Sequence, residues 1–288
     1  MAIVGASVAQ ATAAPPKSAS SKSWLVSWQP EPIVNGAPLV FRVVAPVRLQ
    51  ALSGQWFEHD VFFNYDAATK SWYGIAGVSL ETSRGTYGLT LKGTTAAGNE
   101  ISFLQKIRVR AAKYPSVAVT VAPKFTEPSP EQLQQIDQDK ALKQKIFLHV
   151  EPEREWTGSF HPPVNASITG VFGTRRVFNG EVQSTHQGLD FAAPQGTPVS
   201  AANAGTVLLA RPMYFEGNCV VLDHGQGLLT IYMHLSDFKV KEGDRVTAGQ
   251  ELGLSGATGR ATGPHLHLAV RWQGIYLNPA TLLELKLP

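Results

Sequence analysis

Two histidines alternate with leucines near the C-terminus of this chain, in the segment 263–270 (GPHLHLAV). Successive side chains of a β-strand point to opposite faces of the sheet. On a strand, Leu266 and Leu268 would therefore enter a core, while His265 and His267 would emerge together on the other face. The alternation predicts a half-buried strand that presents two imidazoles side by side, as a metal site or an acid–base pair requires.

Two further segments offer side chains of the same kind. His186 and Asp190 stand four residues apart, and Gly188 between them lets the backbone bend so that both could reach one ion. Farther along, a predicted strand ends with Tyr232 and His234 on one face. A hydrolytic zinc site needs three protein ligands and an open position for water. The four histidines and one aspartate could supply three ligands and leave two imidazoles for acid–base work.

Composition narrows the function classes. The formal net charge of +3 suits an anionic surface, but no lysine or arginine block is dense enough to predict nucleic-acid binding. The single cysteine, Cys219, excludes an intrachain disulfide and a cysteine-rich zinc site. No apolar run approaches the ~18 residues of a transmembrane helix. Residues 1–23 begin with small apolar residues and two A-x-A patterns, which predicts a signal-like or disordered leader and a periplasmic or secreted protein.

The rest of the chain is predicted to be mainly β. Alternating hydrophobic residues and regular turn signals over residues 24–112 predict an Ig-like β-sandwich without catalytic residues. Residues 113–155 are predicted to be a linker with a helix, because Ser129, Pro130 and Gln132 form an N-terminal capping pattern. The helix is weakly amphipathic, so we expect it to be partly exposed. Residues 156–288 are predicted to be an antiparallel β-sheet domain without a helix of useful length.

The flanking residues of these segments resemble the lysostaphin-type, or LytM-like, zinc endopeptidases of peptidoglycan. The resemblance runs from about Phe172 to Leu283 and rests on four segments, which are 186–191 (HQGLDF), 223–236 (DHG to YMHLS), 240–249 (VKEGDRVTAG) and 258–267 (TG to GPHLH). It implies a LytM-like peptidase domain, a peptidoglycan peptide as substrate and one Zn²⁺ as cofactor. We expect the protein to be a monomer.

The resemblance also implies roles for individual residues. His186, Asp190 and His267 correspond to the zinc ligands of the family, and His234 and His265 to the catalytic histidines that act as general base or stabilise the oxyanion. Tyr232, and Arg175 near the site entrance, are the predicted substrate-binding residues. Three segments are expected to form the walls of a peptide groove, which are 174–185, 211–218 and 255–264.

Two other functions are compatible with the same residues. A relative that has lost catalysis would bind peptidoglycan and activate another wall hydrolase, although intact ligands argue against this alternative. A D-alanyl-D-alanine carboxypeptidase also uses two histidines and an aspartate, but such enzymes space the first pair more widely than His186 and Asp190. The N-terminal sandwich is expected either to position the catalytic domain or to shield its groove.

Overall fold

The fold is mainly β. The computed structural model describes residues 23–118, 128–178 and 181–288, and it describes side chains only outside residues 178–183. The predicted leader lies almost wholly outside the described residues. Residues 23–112 contain nine strands: β1 (Leu25–Gln29), β2 (Ile33–Val34), β3 (Pro38–Val44), β4 (Leu49–Trp56), β5 (His59–Phe62), β6 (Asn64–Asp66), β7 (Ser71–Gly77), β8 (Gly85–Thr95) and β9 (Glu100–Arg110).

These strands form two sheets that pack face to face. One sheet has the order β1-β3-β7-β6, and the other has the order β2-β9-β8-β4-β5. Phe41 of the first sheet meets Trp56 of the second edge to face, with ring centroids 5.5 Å apart, and both side chains are fully buried. The Trp56 indole also donates a hydrogen bond to the Gly77 carbonyl at 3.0 Å. Alternating hydrophobic residues therefore build a sandwich core, as the sequence predicts.

A short strand and a helix follow the sandwich. The strand β10 (Ser116–Ala118) is followed by α1 (Pro130–Phe147), whose N-terminus is closed by the capping box predicted at Ser129 and Gln132. The helix does not stand free in solvent. Leu142, Ile146 and Phe147 pack against the sheet of the C-terminal half, so only one side of α1 is exposed.

The C-terminal half is antiparallel, as predicted. Its elements are β11 (Ile168–Gly170), β12 (Arg175–Phe178), β13 (Glu181–Thr185), β14 (Leu189–Phe191), β15 (Pro198–Ser200), β16 (Gly205–Met213), β17 (Gly217–Asp223), β18 (Leu228–Leu235), β19 (Asp237–Phe238), β20 (Arg245–Val246), β21 (Glu251–Leu254), β22 (Leu266–Trp272), β23 (Ile275–Leu277) and a six-residue helix α2 (Pro279–Glu284). Asn278 caps α2 at its N-terminus, and the residue pattern did not predict this short helix.

The main sheet has two faces with different neighbours. Its strands run in the order β11-β14-β22-β18-β17-β16-β20, with β23 paired to β22. Leu266, Leu268 and Val270 of β22 enter the large core, while Ala269 lies on the opposite face beneath α1. Since residues alternate along the strand, His267 shares the face that carries α1. None of the helices among the described residues is long and apolar enough to cross a membrane.

The sandwich and the C-terminal half are in direct contact. The His59 imidazole packs against the Trp272 indole with centroids 5.0 Å apart, and the Gln226 side chain donates to Asn64 Oδ1 at 2.5 Å. The Asn278 amide donates to the Gly36 carbonyl at 2.8 Å. His59 is therefore half-buried at this contact.

His224 fastens the turn between β17 and β18. Its ring is fully buried, with Nδ1 2.6 Å from the Ala204 carbonyl and Nε2 2.7 Å from Thr230 Oγ1. Burial lowers the pKa of His224 to about 4, so the neutral ring is the form that the fold accommodates. His224 therefore has a structural role.

The pH dependence of stability follows from this histidine. An unfolded histidine titrates near 6.5, so below that pH the unfolded state binds more protons than the folded state. We expect the free energy of unfolding to fall between about pH 6.5 and 4 by up to about 3 kcal/mol from His224 alone. His224→Gln should flatten this slope in urea unfolding curves recorded at several pH values. The exposed His161→Gln is the control, and an unchanged slope in His224→Gln would contradict the assignment.

Candidate metal centre

The sheet brings His186, Asp190 and His267 together beside strands β14 and β22. Asp190 in β14 lies directly opposite His267 in β22, so the two side chains project from the same face. The His267 Nδ1 atom lies 2.7 Å from Asp190 Oδ1, and His186 Nε2 lies 3.1 Å from the same oxygen. One ligand atom from each of the three residues lies within 4.8 Å of the others.

The donor set fits zinc. Two imidazole nitrogens and one carboxylate oxygen are ligands that zinc accepts in hydrolytic sites, where a further position is left open. His186 Nδ1 lies 2.9 Å from the Val171 carbonyl, which holds the ring with Nε2 directed at the cluster. Such a contact to the remote ring nitrogen is the usual way in which a ligating histidine is oriented.

Glycines make room for the cluster. A Cβ atom at Gly188 would overlap the His267 ring and lie 2.6 Å from the Leu268 carbonyl. A Cβ atom at Gly170 would overlap the Asp190 carboxylate and lie 3.0 Å from its Cγ. Gly188 is therefore needed for the close approach of His267. Gly170 is a residue that the sequence analysis did not single out.

The charges in the cluster support one another. Burial alone would raise the pKa of Asp190, but hydrogen bonds to His186 and His267 and the electrostatic effect of the two rings outweigh it and lower the pKa. Burial lowers the pKa of His267 against the opposing effect of Asp190. The pair thus favours an ionised carboxylate beside a neutral imidazole, which are the protonation states that bind a cation.

The structure places His234 and His265 beside this cluster. Their ring centroids are 4.8 Å apart, and His265 Nε2 lies 3.9 Å from Asp190 Oδ1. His234 Nδ1 lies 2.8 Å from the Thr258 carbonyl, and His265 Nδ1 lies 2.8 Å from the Gly263 carbonyl. Each backbone contact fixes Nδ1 as the protonated nitrogen and leaves Nε2 as a base or acceptor.

His234 is held in a strained backbone conformation. Its φ is +64°, which is uncommon for a residue other than glycine. The ring is 7% exposed, and burial lowers its pKa to about 4. The His234 amide donates to the Glu216 carbonyl at 2.9 Å. Tertiary contacts thus keep a neutral imidazole at the end of β18 in a position that a regular strand would not give.

The structure corrects one site residue and leaves another as a prediction. Tyr232 was predicted to contact the substrate, but it is completely buried, with its hydroxyl 2.8 Å from the Ala202 amide. The left-handed conformation of His234 turns that residue away from the face on which Tyr232 lies. Arg175 is exposed in β12, where it pairs with Ser116 of β10. Its contact with substrate stays a prediction.

Sequence comparisons place this geometry in a known family. Residues 184–279 match Peptidase family M23, and the chain is 35% identical to the catalytic domain of lysostaphin from Staphylococcus simulans, of which it covers 94% with 42% of its own length (TM-score 0.38). The chain belongs to peptidase family M23. The resemblance seen in the sequence is confirmed, since His186, Asp190, His234, His265 and His267 all lie inside the matched range.

Two longer relatives resemble parts of the chain. The peptidoglycan DD-endopeptidase ShyA of Vibrio cholerae is 45% identical over 103 residues, which is 36% of this chain and 23% of ShyA. The DD-carboxypeptidase/endopeptidase Mpg of Neisseria meningitidis is 40% identical over 147 residues, covering 51% of this chain and 32% of Mpg. The chain thus spans a quarter to a third of these relatives.

One solved structure extends over both halves of the chain. A Pseudomonas aeruginosa protein assigned to peptidase M23 covers 88% of this chain and 95% of its own, with a TM-score of 0.67 and 27% identity. The likeness therefore includes the sandwich as well as the M23 segment.

The two glycines beside the cluster give a test of its geometry. Gly188→Ala and Gly170→Ala should each weaken Zn²⁺ binding by roughly 100-fold, because the added methyl group displaces His267 or Asp190. Gly263→Ala is the matched control, since a Cβ atom there has no neighbour within 4 Å. Competition with a chromophoric chelator measures the affinities. Equal Zn²⁺ affinity in all three variants would show that the ion binds elsewhere.

Proposed function

We propose that this chain is a zinc-dependent endopeptidase that cleaves peptide bonds in the stem or cross-bridge peptides of peptidoglycan. The observation that carries the proposal is the convergence of His186, Asp190 and His267, with His234 and His265 beside them, within the segment that matches family M23. The name of ShyA, a peptidoglycan DD-endopeptidase, supports the substrate class, and the name of Mpg, a DD-carboxypeptidase/endopeptidase, supports the type of reaction.

We assign His186, Asp190 and His267 as the ligands of one zinc ion. When bound, zinc supplies a Lewis acid that polarises a carbonyl and lowers the pKa of water from 15.7 toward about 7. The chain's own contribution is to hold two imidazoles and an ionised carboxylate in place before binding. The Val171 carbonyl and the facing pair of Asp190 and His267 perform this orientation.

We assign proton transfer and oxyanion stabilisation to His234 and His265. Both rings expose Nε2 beside the cluster because their Nδ1 atoms are engaged by backbone carbonyls. A neutral imidazole can take a proton from water during attack on a peptide carbonyl and return it to the leaving amine. The second imidazole, once protonated, can donate a hydrogen bond through Nε2 to the oxygen that becomes negative.

The groove is the proposed site of the extended peptide. Two of its predicted walls meet, because Arg260 donates its amide to the Phe215 carbonyl at 2.8 Å. The third wall, 174–185, lies partly outside the described residues. We propose that Arg175 lines this side and that the protein acts as a monomer outside the cytoplasm, in the periplasm or as a secreted protein, where peptidoglycan is accessible.

Variants that separate the loss of bound zinc from the loss of turnover test these assignments. His186→Ala, Asp190→Ala and His267→Ala should lower both Zn²⁺ affinity and cleavage by on the order of 100-fold or more. His234→Ala and His265→Ala should keep one bound Zn²⁺ but lose roughly 100-fold to 10,000-fold in kcat. Metal analysis and peptide release from purified sacculi report the two properties. Loss of zinc in His234→Ala would make that residue a ligand.

Product analysis distinguishes the proposed activity from its alternatives. An endopeptidase should convert cross-linked muropeptide dimers into monomers by an internal cut, which mass spectrometry detects. Loss of a terminal alanine from monomers would instead indicate a carboxypeptidase, an activity that the name of Mpg includes. One bound zinc with binding to sacculi and no product would favour the non-hydrolytic activator.

A further inference from the structure

The segment between the sandwich and the M23 segment contacts two loops, one on each side of the metal centre. Its first part contacts the loop before His186, and α1 contacts the loop before His234. Both lie outside the matched residues 184–279. We propose that Tyr114 and Asp139 are positioning residues, Tyr114 for the ligand His186 and Asp139 for His234. This inference rests on the proposed function for the meaning of those two histidines.

Tyr114 packs on the loop 171–174. Its ring meets the Phe172 ring at a centroid distance of 6.1 Å and lies so close to Gly173 that any Cβ atom there would overlap it. The loop in turn holds His186 by three hydrogen bonds. The Gly173 amide donates to the His186 carbonyl at 2.8 Å, the His186 amide donates to the Thr174 carbonyl at 2.9 Å, and Val171 accepts from the ring.

The sandwich fixes Tyr114 from the other side. The Tyr114 hydroxyl donates to the Asn35 carbonyl at 2.5 Å, and the Asn35 side chain accepts from the Ala112 amide at 2.8 Å. Burial raises the pKa of Tyr114 to about 12, so the hydroxyl stays a donor at neutral pH. The pairing of β10 with β12 continues the contact, with the Arg175 amide donating to the Pro115 carbonyl at 2.8 Å. A continuous set of contacts thus links the sandwich to His186.

Asp139 supports the loop before His234, on the other side of the metal centre from Tyr114. It is buried in α1 and accepts a hydrogen bond from the Tyr214 amide at 2.7 Å. One turn along, Lys143 Nζ lies 2.5 Å from Glu216 Oε1. The Glu216 carbonyl accepts from the His234 amide, at the residue with φ of +64°. The helix therefore anchors the loop that sustains this strained conformation.

The same loop also supports the His234 ring. The Asn218 amide donates to Thr258 Oγ1 at 2.9 Å, and the Thr258 carbonyl lies 2.8 Å from His234 Nδ1. A shift of residues 214–218 would thus disturb both the backbone and the ring of His234. It would leave the loop 171–174 and His186 in place. The two positioning residues should therefore have separable effects.

Tyr114→Ala tests the ligand side in the full-length chain. We expect Zn²⁺ affinity to fall at least tenfold, and amide exchange at Gly173 and His186 in the metal-free protein to quicken. Tyr114→Phe keeps the ring and should stay within about threefold of the wild type. Tyr65→Ala, which removes an exposed tyrosine from the sandwich, is the matched control. Tyr114→Leu, which keeps apolar bulk, replaces the alanine variant if that variant does not fold.

Asp139→Ala tests the catalytic side. We expect kcat on a soluble muropeptide dimer to fall about tenfold, with KM and Zn²⁺ affinity within about threefold of the wild type. Amide exchange at His234 should quicken, while exchange at His186 stays unchanged. Asp139→Asn keeps a carbonyl acceptor for the Tyr214 amide and should restore turnover. Asp137→Ala, an exposed aspartate on the same helix, is the matched control.

Two results would overturn the inference. One is unchanged Zn²⁺ affinity and unchanged exchange at Gly173 and His186 in the folded Tyr114 variants. The other is equal loss of metal affinity and kcat in Asp139→Ala, or no rescue by Asp139→Asn. The exchange measurements need neither zinc nor substrate. A wild type that binds no zinc or cleaves no peptide would therefore refute the proposed function, while the exchange measurements would still decide this inference.

Discussion

The structure of the candidate site depends on the facing pair of Asp190 and His267 across two neighbouring strands. Antiparallel register places the carboxylate and the imidazole on one face, 2.7 Å apart, without a long loop to order. The opposite face of the same strands enters the core through Leu189 and Leu268. A one-residue slip would bury the charged pair and expose the leucines, so the hydrophobic core itself fixes the site's register.

Beside this pair, His186 and His234 are positioned by backbone that does not have regular strand geometry. His186 precedes β14, and its position depends on the loop 171–174, which supports both its backbone and its ring. His234 needs a positive φ, and the loops that contain Glu216 and Thr258 sustain it. Strained conformations of this kind persist only where surrounding contacts determine them. The groove walls thus belong to the catalytic arrangement as much as to substrate binding.

The segment from Tyr114 to Phe147 gives the N-terminal sandwich a physical connection to that arrangement. The sequence left two possibilities for the sandwich, positioning or shielding. The observed contacts favour positioning, because Tyr114 reaches the loop of His186 and α1 reaches the loop of His234. The helix also covers part of the sheet face that carries Ala269, through Leu142, Ile146 and Phe147. The segment that the sequence predicts to be a linker thus supports the loops of His186 and His234 in the folded chain.

The sequence by itself determined the mainly β class and the capped helix through local spacing, and it predicted five candidate site residues through three short segments and their resemblance to lysostaphin-type peptidases. Alternation fixes the face of His265 and His267, and Ser129 and Gln132 cap α1 through bonds within one turn. Only the tertiary structure decided the burial of Tyr232, the need for Gly170, and the contacts of Tyr114 and Asp139. Each of these depends on atoms far apart in the chain, whose distance no local pattern encodes.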